Sequence, residues 1–235
     1  MASTRSQSKP LPSTPTSTSS SSPTPAWSHT PSNLTLIWLA ISLPLVAWDT
    51  GYVFLRPYSM PGGSLHYPIW QPYALYGTID YTYGWPAWNA HSGFTAAQGF
   101  MNFVESAGYV VYLWIVFVYG VQERRKGRGA PKKGDMGSFA WLSESRTVYG
   151  RLAAWAVLLG FATAVMTASK TVLYWLNEYF SGFENIGHNG LEALVVLWII
   201  PNGVWIIFPS YMIYVFGQEI LQGLEAASNG TEKSK

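Results

Sequence analysis

Apolar positions along the chain gather into four long blocks, running from about Leu34 to Leu55, Ala97 to Tyr119, Val148 to Leu176 and Leu191 to Phe216. Each block can supply the roughly 20 helical residues that a bilayer's apolar core requires. The pattern predicts an all-α membrane protein, a bundle of four main transmembrane helices occupying residues 34–220. Before it, residues 1–33 are almost all Ser, Thr and Pro. Such a stretch buries too little apolar surface to offset the entropy of ordering and is expected to be a disordered tail. Residues 221–235 form a short C-terminal tail.

Composition sharpens this picture. Only 11 % of the 235 residues are charged, against about 25 % in soluble domains, while 49 % are hydrophobic and 16 % aromatic. The polar tail explains why mean hydropathy is nonetheless only +0.11. A net charge of +2 argues against a nucleic-acid-binding surface. With no cysteine, disulfide scaffolds, thiolate metal sites and cysteine nucleophiles are excluded.

The basic residues are unevenly placed. The connection from Val121 to Thr147 holds Arg124, Arg125, Lys126, Arg128, Lys132, Lys133 and Arg146, whereas the loops 57–96 and 177–190 hold no Lys or Arg. The positive-inside rule then puts this connection and both termini in the cytosol, and the other two loops on the lumenal side. The run 124–133 is either a topology determinant alone or a binder of anionic headgroups. The loop 57–96, rich in Pro, Tyr, Trp and Gly, either packs on the bundle mouth or forms an interfacial aromatic belt.

Ionisable residues inside a span are costly and mark function. Asp49, Glu105 and Lys170 fall at similar depth in the first three spans, roughly 9–12 Å below the lumenal boundary at the helical rise. Gln98, Asn102 and Glu105 form one stripe of the second span, and Thr163, Thr167, Lys170 and Thr171 one stripe of the third. These stripes face the bundle interior and predict an internal ligand cavity. Lys170 either pairs with Asp49 or Glu105 to fix register, or contacts a ligand. Asn202, with Trp205 on the next turn, either bonds a neighbouring helix or positions a ligand. One lysine cannot neutralise two acids, so Glu105 is expected to be functional, its leftover carboxyl protonated or paired with a ligand. Asn202, Trp205, Asn102, Lys170 and Tyr109 are the candidate substrate-binding set. Trp38, Trp48, Trp114, Trp155, Trp175, Trp198 and Trp205 are numerous enough to line a cavity, though most are expected to face lipid or the interface.

Other chemistries fit poorly. His66, His91 and His188 show no metal-ligand spacing. A Gly-rich phosphate loop, a nucleophile elbow and Asp-rich diphosphate motifs are all missing. No cofactor or metal is expected.

Several segments taken in order resemble the emopamil-binding-protein (EXPERA-domain) superfamily, which includes the sterol Δ8-Δ7 isomerase and the sigma-2 receptor. They are Trp48-Asp49-Thr50-Gly51-Tyr52, Tyr67-Pro68-Ile69-Trp70 through Tyr76 with Asp80, and Phe103-Val104-Glu105-Ser106. The exit of the third span, Val172 to Glu178 with Gly182-Phe183 and His188, and Pro201-Asn202-Gly203-Val204-Trp205 with Pro209 complete the set. The resemblance implies an endoplasmic-reticulum bundle with a sterol-like ligand between its helices, commonly a homodimer. For the isomerase it implies protonation of an alkene by a carboxyl group, a carbocation held against tryptophan, and loss of a neighbouring proton. The chain departs from that enzyme at Leu45, where it has histidine, at Gly108, where it has threonine, and at Lys170, which has no counterpart there. The expected activity is a cofactor-independent double-bond shift in a sterol or terpenoid lipid through a carbocation, with Glu105 and Asp49 as acid and base, Asn202 positioning the ligand and Trp205 stabilising the cation. The alternatives are a non-catalytic lipid-binding protein and a helical scaffold whose charges merely pair.

Overall fold

The computed structural model describes residues 27–122 and 146–232. The Ser/Thr/Pro stretch through residue 26, the basic run 124–133 and the last three residues lie outside the described residues.

Four helical rods are long and apolar enough to cross a membrane. The first, α1 (Asn33–Phe54), starts where the Ser32 hydroxyl accepts the Thr35 N–H at 3.1 Å, an N-cap that satisfies one of the free donors of the first turn. Two short lumps of helix, α2 (Tyr73–Ile79) and α3 (Trp85–Asn89), follow within the long loop. The second and third rods are α4 (Phe94–Tyr119) and α5 (Gly150–Phe180). The fourth is one continuous rod: α6 (Leu191–Leu194), a π-helical turn (Val195–Ile199) and α7 (Ile200–Glu232). Pro201 accounts for the π turn, because it lacks an N–H and its ring crowds the carbonyl four residues back, at Leu197. The expected spans agree with these rods to within a few residues, except that the last helix runs past Phe216 and through most of the expected C-terminal tail. Charged and polar residues after the apolar block do not stop a helix that has no breaking signal.

The helices are wrapped in the order α1, α4, α5, α7, each packed on the next, while α1 and α7 touch only lightly. Close approach depends on small residues. A Cβ at Gly160 would lie 2.8 Å from Phe216 Cζ, and one at Gly108 would lie 2.7 Å from Thr163 Oγ1. Gly108 is therefore a packing position between α4 and α5.

One correction concerns the N-terminal stretch. Residues 27–33 are not part of a free tail: β1 (Ser28–His29) pairs with β3 (Arg146–Tyr149), which also pairs with β2 (Val121–Gln122), giving a small antiparallel sheet in the order β1-β3-β2. His29 is buried, bonded through Nδ1 to Glu219 Oε2 at 2.7 Å and through Nε2 to the Tyr112 hydroxyl at 3.0 Å. Trp27 lies against Gly223 of α7. The entry to α1, the two described ends of the α4–α5 connection and the later part of α7 thus gather at one end of the bundle, here the sheet end. A core of Leu39, Tyr112, Val116, Ala156, Val157, Met212 and Phe216 fills that half.

The loop 57–96 covers the opposite end and packs on the bundle mouth. Trp48 donates its indole N–H to Ile69 O at 2.9 Å, Trp70 returns one to Trp48 O at 3.1 Å, and Tyr52 stacks on Tyr73 with centroids 3.8 Å apart. Arg56, buried, donates to the carbonyls of Val53 and Thr82 and stands over the Trp88 ring.

Candidate ligand cavity and its carboxylate site

Beneath this cap lies a cavity of about 490 Å³, bounded by all four rods and by the loop. Small-molecule sites commonly measure about 300–1,000 Å³. Its wall is mainly apolar and aromatic, including Leu45, Trp48, Leu75, Leu197 and Trp205. Trp205 is braced edge-on by Trp38, which itself stacks on Phe208. Among the tryptophans expected to line such a space, Trp48 and Trp205 do so. Trp114 and Trp155 point outward, and Trp38 and Trp198 are buried in the packing.

Polar groups converge on one side. Asp49, from α1, accepts the Tyr73 hydroxyl at 2.6 Å on Oδ1, and the Asn102 amide N–H at 3.0 Å with a long contact from Tyr83 on Oδ2. The other end of the Asn102 amide, Oδ1, accepts from Lys170 Nζ, which also donates to Glu105 Oε2 at 2.9 Å. Thr167 donates to the same Glu105 oxygen at 3.0 Å, and the Tyr109 hydroxyl touches Thr167 at 3.3 Å. A continuous chain results: Asp49, Asn102, Lys170, Glu105, Thr167, Tyr109. Lys170 pairs with Glu105 directly and reaches Asp49 only through Asn102.

Depth separates the two acids. Asp49, Asn102, Lys170, Asn202 and Trp205 line the cavity, whereas Glu105 and Tyr109 do not. Glu105 is 3 % exposed and sits behind Lys170, with Oε1 lacking a hydrogen-bond partner among the described residues. The spacing that put Asn102 and Glu105 on one stripe did not show that the third residue of the stripe would be screened by a lysine from the facing helix. Asn202 donates to the Trp198 carbonyl one turn earlier at 2.8 Å and neighbours the Tyr76 hydroxyl across the cavity.

Three functional positions were not singled out from the residues alone. Tyr73 and Tyr83 hold the Asp49 carboxylate from the loop, and burial pushes both phenols above their ordinary range, with Asp49 adding to the shift. They therefore stay protonated and act as donors. Asp80, fully buried in the loop, receives the Thr82 N–H and hydroxyl, the Trp198 indole N–H at 2.8 Å and the Tyr174 hydroxyl. Burial pushes its carboxyl up, and these donors oppose the shift. Because Tyr174 lines the cavity, Asp80 fixes part of its wall.

Fold and site together define a helical protein with four rods long and apolar enough to cross a membrane and a carboxylate-bearing pocket between them and the 57–96 loop. Comparison with family models, curated proteins and solved structures finds no match to this chain.

Proposed function

We propose that the chain is a cofactor-independent membrane isomerase of the EXPERA type that shifts a double bond in a sterol or terpenoid lipid. The observation that carries this reading is Asp49: a carboxylate on the wall of a largely apolar cavity, held by Tyr73 and Asn102 and in reach of a bound lipid. A double-bond shift needs one proton removed from one carbon and one delivered two carbons away, which a single well-placed carboxylate can perform in succession. Glu105 acts through Lys170 as a positioning residue in this reading, since it does not reach the cavity. Trp205 supplies a flat ring against which a fused-ring lipid stacks, and Asn202 a polar anchor across from Asp49. The protein sits in the endoplasmic-reticulum membrane with its sheet end in the cytosol, as the basic run suggests, and forms homodimers.

The second reading, a non-catalytic sterol-binding protein, is favoured by the same cavity if no proton moves. Lipid co-purifying with the protein, identified by mass and double-bond position, separates the two when compared between wild type and Asp49→Asn. A shifted double bond that requires Asp49 supports catalysis. Saturable binding with an unchanged lipid in both proteins rejects it.

A further inference from the structure

Asp49 and Lys170 stand on the same cavity wall, and counting their bonds shows what the ligand must bring. A carboxylate offers about four lone-pair directions, and Asp49 uses three of them. An ammonium offers three N–H donors, and Lys170 spends two, on Asn102 and Glu105. One acceptor and one cationic donor are left over on the same wall, bridged by Asn102. The residue that links them, Asn102, spans the pair with the three atoms Nδ2–Cγ–Oδ1, the nitrogen on Asp49 and the oxygen facing Lys170. A ketone presents the same three-atom reach as Cα–C–O.

We propose that the substrate is a β,γ-unsaturated ketone of a polycyclic lipid, with its carbonyl oxygen on Lys170 Nζ and its α-carbon hydrogen facing Asp49. This inference rests on the isomerase reading and names the substrate class for it. In the first step Asp49 takes the α-proton, the C–H electron pair forms a new carbon–carbon π bond, and the carbonyl becomes a dienolate whose oxygen is held by Lys170. In the second step the dienolate collapses back to a carbonyl and its γ-carbon takes the proton from Asp49. The product is the conjugated ketone, with no atom lost and no electron acceptor required. Pre-placed cationic donors at the oxygen that gains charge are among the larger contributors to catalysis of this kind.

Other substrate chemistries fit the wall less well. An unactivated alkene would react through a carbocation, and the Lys170 ammonium would face that cation across a medium of low polarity, where like charges repel strongly. A ligand carboxylate would satisfy Lys170 but would stand against Asp49. A hydroxyl group would bond to either residue without making a neighbouring C–H acidic.

The test uses the full-length protein in membranes with three probes: the β,γ-unsaturated isomer of androstenedione, followed by the ultraviolet absorbance of its conjugated product; zymosterol, an unactivated sterol alkene, followed by mass spectrometry; and equilenin, whose ring phenol imitates the dienolate. Wild type is expected to conjugate the ketone above the membrane background, to leave zymosterol unchanged and to bind equilenin. Because Lys170→Met alone strands the buried Glu105, the double variant Lys170→Met/Glu105→Gln is compared with Glu105→Gln. It is expected to lose about 10²–10³-fold in ketone turnover and at least about tenfold in equilenin affinity while remaining folded. Ketone turnover that is indifferent to Lys170 overturns the inference. Conversion of zymosterol but not of the ketone overturns it and leaves the isomerase reading standing. If neither is converted although equilenin binds, the isomerase reading fails and takes the inference with it.

Discussion

The two ends of the bundle are built from opposite materials. At the sheet end, Ala153, Ala156, Val157 and Gly160 of α5 let Tyr112, Met212 and Phe216 pack into contact, and the larger side chains there are almost wholly buried. At the loop end, Tyr, Trp, Asn, Asp and Lys side chains surround an open space. Lipid tails are as apolar as leucine, so burial by itself gives transmembrane helices little reason to associate; close packing and hydrogen bonds must do so. The first half concentrates the packing. That leaves the second free to be hollow, with its polar groups tied to one another and to the capping loop.

This division predicts that damage to the two halves reads out differently. The largest effect is expected from Asp49→Asn, which should lower lipid turnover about 10²–10⁴-fold and barely move the thermal midpoint in detergent; a large drop in the midpoint would mean that the hollow half holds the fold together. Next comes Asp80→Asn. The amide retains one acceptor oxygen and turns N–H groups toward the Trp198 and Tyr174 donors, so a loss of about 2–4 kcal/mol is expected from stranded buried groups, seen as early protease cleavage within 57–96. Gly160→Val tests the packed half. Its new side chain collides with Phe216 and should cost about 1–3 kcal/mol of stability by overpacking, while equilenin affinity of the folded fraction stays at the wild-type value. Loss of affinity in that variant would show that the halves are not separable. The smallest effect separates two tyrosines: Tyr73→Phe removes a 2.6 Å bond to Asp49 and should cost about 1 kcal/mol in the barrier to turnover, whereas Tyr83→Phe, which loses only a 3.5 Å contact, should stay within about twofold.

Legibility in the sequence followed the same division. The rods were visible because a membrane span is a one-dimensional signal, a run of apolar residues of set length. Asp49, Asn102 and Lys170 stood out because a polar group in such a run is costly. That Glu105 would be screened was not visible, since the screen is a side chain more than sixty positions away on another helix. The loop's Tyr73, Tyr83 and Asp80 lacked a periodic background to stand out from. Likewise β1 is only two residues long and lies next to a low-complexity stretch, so its pairing with β3 leaves no local mark.

By itself, then, the amino-acid order determined that there are four apolar rods, where they run, and which few buried positions carry charge or amide groups. Only tertiary structure decided that Lys170 binds Glu105 and reaches Asp49 through Asn102, that Asp49 faces the cavity while Glu105 does not, and that a loop tyrosine holds the carboxylate. The physical reason is range. Hydropathy and helical rise act between residues a few positions apart, whereas the choice of partner for a buried charge is made across helices, by whichever groups the packing brings within about 3 Å.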